Sequence, residues 1–444
     1  MTEQIHLEFS NSNVLSERYR AELMIEEIGY KTFFFHFSKV EDPRKENGKR
    51  HQLIHILILT IIGILRGFSD FENMVDDLKY DEKELTEKLG LKHGIPSHDT
   101  FSRVFRLIDS KAVMHAFIDW TYSYITLVQE HIAIDGKAVR AATEKIEGKN
   151  TPYIVNSYVC GQQLVLGQLL IDQKTNEING IPELLELLDL KGCTVTIDAI
   201  GCQRKICQQL HDKKADFVLP AKENQRLMHE AIELFAEDAY EQWLLEEEQI
   251  RQYEEKGIKG KGDKLYLPYH EKMDVYHEVD PKAEHGREPG DRLYIVIYDI
   301  SMIDKKQWPH VKAVGYTIRK RTEIKRKDGE DVSVTSVDKN TWIISKKKMT
   351  AKEFGKLARG HWGIENKLHG VIDASFREDW STARKDGAIE NLAQMRKICY
   401  NFMTLDPAVN GMTKKKAFNY YRRNTDAIIR LIFLEIPKSE SLTA

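Results

Sequence analysis

His131-Ile-Ala-Ile-Asp135-Gly-Lys137 and Thr194-Val-Thr-Ile-Asp198 are short apolar runs that each arrive at an aspartate. Runs this short, rich in β-branched residues and bounded by turn residues, read as buried strands. Two more β-rich runs, Tyr153 to Cys160 and Val165 to Ile171, lie between them on either side of Gly161. Lys174 to Asn176 read as a turn, and Pro182 opens a short helix that stops at Gly192. Beyond Asp198, residues 203–214 are helical in pattern and Asp216-Phe-Val-Leu219 is a further strand. The order β-β-β-α-β-α-β predicts an α/β fold, a mixed sheet flanked by helices.

Upstream, residues 1–128 read as helical. Leu53 to Leu65 is the longest apolar stretch, and its 13 residues fall short of the ~20 that span a bilayer. It is expected to be a buried helix. Ser69-Asp-Phe-Glu72 has the form of a capping box, and a helix from about Glu82 should stop at Gly90. Short helices separated by Gly/Pro turns suit plain packing better than a helix-turn-helix.

Downstream come an acidic helix around Met228 to Glu248, a Gly/Lys-rich loop (Lys256 to Lys264) and a strand from Leu293 to Tyr298. Lys312 to Arg326 and Val332 to Val337 flank Asp328-Gly329, a pair suited to a type I′ hairpin turn, and Thr341 to Ser345 completes a β-rich insertion. Thr350-Ala-Lys-Glu353 is a second capping box, opening a helix expected to reach about His369. The predicted divisions are 1–128 (helical), 129–225 (first core segment), 226–345 (acidic helix and insertion), 346–405 (C-terminal core helices) and 406–444 (tail).

The 444 residues suffice for two or three domains at roughly 150 each. Charged residues at 30% and hydrophobic ones at 41% exclude wholesale disorder and a collagen-like chain. The five cysteines lack CxxC pairing, which excludes a zinc ribbon and points to a reduced, cytoplasmic protein. No basic-then-apolar signal pattern or membrane span is read. Net charge is −3, but it is segregated: Glu230 to Glu255 holds ten acids and one Arg, whereas Lys346 to Asp426 holds 17 Lys/Arg and nine acids. A second basic run, Ile318 to Lys327, contains Arg319, Arg321 and Lys325. Segregation of this kind creates strong local fields on a near-neutral chain.

Two carboxylates at adjacent strand ends repel unless a cation lies between them, and hard oxygen donors suit magnesium or manganese better than zinc. Taken singly, Asp135 and Asp198 are also ordinary turn caps. On an α-helix His361, Glu365 and His369 are four apart and share one face beside Trp362. That spacing suits a metal-binding acid with polar neighbours, or a surface Glu paired with Lys367 or Arg359. The zinc-protease pattern HExxH is absent.

The segment HWGIENKLH (His361 to His369), with Asp373, Phe376-Arg-Glu-Asp379 and Arg384 after it, closely resembles the C-terminal signature of insertion-sequence DDE transposases, in the ISAs-type, H-repeat-associated branch. Asp42-Pro-Arg44 with His51, IPSHDTFSRVF (Ile95 to Phe105), IDGKAVR (Ile134 to Arg140), LVLGQ (Leu164 to Gln168), Ile181 to Gln203 and Asn224-Gln225 extend the likeness, in order, over residues 42–403.

The resemblance implies an RNase H-like core, a β-rich insertion before the last catalytic helix, and a helical N-terminal domain for DNA-end recognition. It implies that Asp135, Asp198 and Glu365 are catalytic and hold two Mg2+ (or Mn2+) ions per active site. Related enzymes carry Arg and Lys where this chain has His361 and Ile372, so phosphate alignment is expected from His361, Arg359 or Lys367. His369, Asn224, Gln225 and the basic hairpin (Arg319, Arg321, Lys325) join the expected DNA contacts. The expected partners are double-stranded DNA, as terminal inverted repeats and target, and a second copy of the chain when ends are synapsed; no membrane is expected. The alternatives are an RNase H-like nuclease without strand transfer and a catalytically decayed DNA-binding relic.

Overall fold

The computed structural model describes residues 33–127, 129–139, 151–171, 177–255, 267–279, 290–327, 330–381 and 386–433. The turn expected at Lys174 to Asn176, the Lys256 to Lys264 loop, the Asp328-Gly329 turn, Arg384 and the last eleven residues lie outside them.

Helices α1 (Leu53–Arg66), α2 (Phe71–Tyr80), α3 (Glu82–Leu89), α4 (His98–Leu107) and α5 (Ser110–Tyr124) precede the first strand. Every residue of α1 is buried, as an all-round apolar helix must be in a core. The apolar helical span Glu46–Arg66 has 72% of its most apolar window inside the protein. The cap of α2 differs from the sequence expectation by one residue. Asp70, not Ser69, accepts from the Asn73 amide, because a carboxylate is the better acceptor at a helix N-terminus. Helix α3 does stop at Gly90, which takes the left-handed conformation at φ 66°.

Strands β1 (His131–Ala138), β2 (Tyr153–Val159) and β3 (Leu164–Ile171) are followed by α6 (Glu177–Leu187), β4 (Thr194–Ile197), α7 (Arg204–Asp212), β5 (Asp216–Ala221) and α8 (Arg226–Glu255). The insertion adds β6 (Met273–Val279), β7 (Asp291–Ile297), β8 (Ala313–Lys327) and β9 (Glu330–Ile344). The chain then closes with α9 (Ala351–Gly363), a π-turn (Ile364–His369), α10 (Gly370–Ala374) and α11 (Ala388–Leu405), among later helices.

The nine strands run β3-β2-β1-β4-β5-β9-β8-β7-β6. β2 and β3 are antiparallel, β4 and β5 parallel, and the insertion strands antiparallel throughout. This is the mixed sheet with flanking helices that the sequence predicts, lengthened by the insertion.

Two expectations shift. Helix α6 begins at Glu177, so Pro182 lies inside it rather than opening it. Pro182 has no amide to offer the carbonyl of Ile178, four residues back, and Ile178 lies on the exposed side of the helix. β9 is one strand of fifteen residues, not two short ones: Asp338, Lys339 and Asn340 keep their ladder partners Arg319, Ile318 and Thr317. Polar residues do not end a strand whose other side is already paired.

The chain forms two compact units: Met1–Leu127, Ile134–Asp189 and Gly363–Ala444 in one, Val128–Ala133 and Leu190–Trp362 in the other. In the first, Val139, Ile154 and Ala393 form a core cluster that ties β2 and the residue after β1 to α11. In the second, Phe354 of α9 meets Tyr294 and Trp342 edge-on, which seats α9 against the insertion strands. Its Glu353 amide donates to Thr350 Oγ1 at 3.1 Å, the cap expected from the sequence.

Candidate active site

β1 does not end at Asp135, as its apolar run suggested; the aspartate is the fifth of eight strand residues. Two features carry the strand through. A Cβ at Gly136 would lie 2.4 Å from Oε1 of the buried Glu177, so the glycine leaves room for that carboxylate beside the strand. Lys137, next in line, is 2.6 Å from Asp373 and 2.5 Å from Glu378, so its charge is matched within the fold.

Asp135 and Lys137, two apart, share one face of the strand. Asp135 Oδ2 is 3.6 Å from His369 Nδ1, and both side chains are mostly buried. The buried Asn156 donates from Nδ2 to the Ile154 carbonyl at 3.1 Å, and the same nitrogen is 3.2 Å from His369 Nε2. An acceptor role at Nε2 leaves the proton of a neutral ring on Nδ1, directed at Asp135.

The helix from Ala351 reaches His369, but its last part, Ile364–His369, is a π-turn rather than α-helix. That corrects the expected single face for His361, Glu365 and His369. His361 is buried, Glu365 is exposed, and His369 lies between those extremes. A π-turn in mid-helix is rare and concentrates at functional sites.

His361 belongs to a neutral chain. Thr196 Oγ1 is 2.7 Å from His131 Nε2 and 3.1 Å from His361 Nδ1, so one hydroxyl can donate to one ring and accept from the other. Burial, then the nearby Lys222, pushes the His361 pKa down to about 4. Burial, then the His361 charge, pushes His131 to about 3. Gly360 lets the helix approach: a Cβ there would lie 2.8 Å from His131 Nδ1.

Asp198 follows the last residue of β4 and caps a short turn, accepting from the Ile200 amide at 3.0 Å. Asn224 and Gln225 hold that turn from the other side. Asn224 Nδ2 donates to the Ala199 carbonyl at 2.6 Å, and Gln225 Nε2 donates to the Cys202 carbonyl at 3.0 Å.

Arg359 is paired with Glu278 at 2.5 Å, and Lys367 is exposed. On β8, Arg319 is partly buried and its Nε has no partner among the described residues; the same holds for Arg321 Nε. The Lys325 side chain lies outside the described residues.

Residues 126–402 match the family of the transposase DDE domain, and residues 34–121 match its associated domain. The chain belongs to the DDE transposase family. This transposase is 32% identical over 386 residues to YncI of Escherichia coli O157:H7, named as a candidate transposase, covering 86% of this chain and 89% of that one. It is 29% identical to YhhI of Escherichia coli strain K12, named as an H repeat-associated candidate transposase, covering 86% and 92%. A solved piggyBac transposase synaptic complex with hairpin DNA covers 96% of this chain and 82% of that one, at 11% identity and a TM-score of 0.37. That last likeness is too loose to add to the assignment.

The transposase family uses divalent ions, and three carboxylates are a donor set that suits a hard cation. Among the described residues, no three His, Cys, Asp or Glu side chains are grouped closely enough to hold one. The sequence reading assigned no role to Lys137, Thr196, Asn156 or Glu378, which contact or lie close to the candidate residues. Lys137 had a signal, its same-face spacing from Asp135, and Glu378 stood inside the quoted Phe376-to-Asp379 motif; buried Thr196 and Asn156 had none in local pattern.

Proposed function

We propose that this transposase hydrolyses phosphodiester bonds at the ends of its own element and joins them to target DNA, with Asp135, Asp198 and Glu365 as metal-holding carboxylates. The observation that carries the reading is Asp135 facing His369, four residues beyond Glu365 on the same helical segment. The strand order supports it, because β1 and β4, which lead to the two aspartates, are neighbours. Two Mg2+ or Mn2+ ions would lower the pKa of the attacking hydroxyl and offset charge on the leaving oxygen.

The chain's own part is to position. Asn156 fixes the His369 ring, which lies beside Asp135 on the face toward the helix. Asn224 and Gln225 hold the Asp198 turn, so their amides act on the site from behind. Glu365, exposed on its π-turn, moves inward to complete the donor set. Of the residues expected to align phosphate, Lys367 fits best: Arg359 is occupied by Glu278, and the buried, neutral His361 lacks the charge. We assign end recognition to the helical region 1–128 and phosphate contacts to the β8–β9 hairpin. The reading also includes a dimer at synapsis and a reduced, cytoplasmic setting, in keeping with five cysteines that lack CxxC pairing.

Incubating the protein with DNA from the ends of its own gene and Mg2+ should give cut ends and joined products. Asp198→Ala should abolish both while end binding persists, since affinity comes mainly from Lys and Arg. Joining at the wild-type rate would overturn the assignment, and cutting without joining would favour the nuclease alternative. Changing Arg319, Arg321 and Lys325 together to Ala should flatten the log-affinity against log-salt slope by about 2–3 units on duplex DNA. An unchanged slope would remove the hairpin from the DNA path.

A further inference from the structure

We infer that Lys137 is a positioning residue that sets the Glu365-bearing helix in register against β1 and thereby sets the affinity of the carboxylate site for its divalent ion. The inference rests on the three-carboxylate reading above and adds to it a residue that makes no contact with the ion.

Strand and helix are joined at two successive rungs. Asp135 meets His369 at 3.6 Å, and Lys137 meets Asp373 at 2.6 Å. Two strand residues advance about 6.6 Å and four helical residues about 6 Å, so the steps match and both rungs close at once. Glu365 stands one further step back on the same helical segment. A slip of the helix along β1 would therefore carry Glu365 away from Asp135.

The second rung is the one able to resist slipping. Lys137 is buried and held from two sides, by Asp373 on α10 and by Glu378 in the turn that follows. Glu378 is itself 1% exposed, and Lys397 of α11 lies 3.6 Å from it. The first rung, at 3.6 Å, exceeds hydrogen-bond length and is too weak to fix the register alone. The intervening π-turn makes a firm far end necessary, since it interrupts the regular ladder between Glu365 and His369.

Removing the Lys137 charge is compatible with folding. Lys397 remains beside Glu378, and Asp373 is partly exposed to water. The test is Mn2+ alone, titrated into the complex of the full chain with its end DNA, with free Mn2+ read by electron paramagnetic resonance. Lys137→Met should bind Mn2+ about tenfold or more weakly, the usual effect of losing a residue that orients a ligand. Lys137→Arg should recover most of that loss, and Asp373→Asn, which opens only the outer contact, should lose less. End-DNA affinity should stay at the wild-type value in all three. A purely structural role would lower the amount of folded protein without moving the Mn2+ affinity of the folded fraction. Unchanged Mn2+ affinity in both Lys137→Met and Asp373→Asn, beside a loss in Asp135→Asn, overturns the inference alone. Unchanged affinity in Asp135→Asn overturns the three-carboxylate reading and the inference with it.

Discussion

The two ends of β1 solve one problem in opposite ways. At the first residue, His131 joins Thr196 and His361 in a neutral chain that a single hydroxyl completes. At the seventh, Lys137 enters an ionic cluster with Glu378, Lys397 and Asp373. The neutral chain is economical, since its rings carry no charge to desolvate. The ionic cluster is not: Lys397 Nζ and Arg396 Nε have no hydrogen-bond partner among the described residues, and three buried cations (Lys137, Arg396 and Lys397) share the buried Glu378. Burial lowers the Lys397 pKa to about 8 despite Glu378. Such a cluster is poor value as stabilisation, which makes geometry the better account of its presence.

The hardest test of that contrast is Glu378→Gln. It removes the acid that Lys137, Lys397 and Arg396 share, leaving buried cations uncompensated. We expect a loss of ~3–5 kcal/mol, read by denaturant unfolding. A loss under ~1 kcal/mol would mean that water reaches the cluster and that the contrast is overstated.

Thr196→Val is the matching test at the other end. It keeps the shape but strips both rings of their shared partner, at a cost of ~1–3 kcal/mol. If it cost as much as Glu378→Gln, the neutral chain would hold the fold as firmly as the ionic one.

The smallest effect concerns pH. The folded pKa of His361, about 4, lies below the ordinary 6.5 because its buried ring resists charging. The unfolded chain therefore binds the extra proton between those values. Stability is fully present above 6.5 and falls as pH drops toward 4, by at most ~1.4 kcal/mol per unit from this group. Glu378 behaves differently: burial would raise its pKa, but Lys397, Lys137 and Arg396 hold it below the ordinary carboxylate range. Its contribution persists until pH falls through that depressed value. Mild acid should thus act on the histidine end first. Denaturant midpoints at pH 7, 6 and 5 would show this as a slope that His361→Asn reduces; an equal slope in the variant would assign it elsewhere.

The sequence by itself determined the order of strands and helices, the burial of α1, the Thr350 cap and the family, because these depend on local periodicity, local hydrogen bonds and ordered motifs. It also brought Asp135, Asp198 and Glu365 forward as candidates. What it misjudged were positions whose partners are far along the chain. Asp135 looked like a strand end because Gly136 and Lys137 are poor strand formers, yet Glu177 fills the space beside the glycine and Glu378, 241 residues away, matches the lysine. His361 looked like a phosphate ligand, yet it is engaged with Thr196, 165 residues away. The π-turn at Glu365 was likewise unreadable, since its sequence suits an α-helix. Local pattern says which face a side chain presents; only the packed chain decides what meets it there, because burial turns an unmatched charge or an empty hydrogen bond into a cost that one distant neighbour must remove.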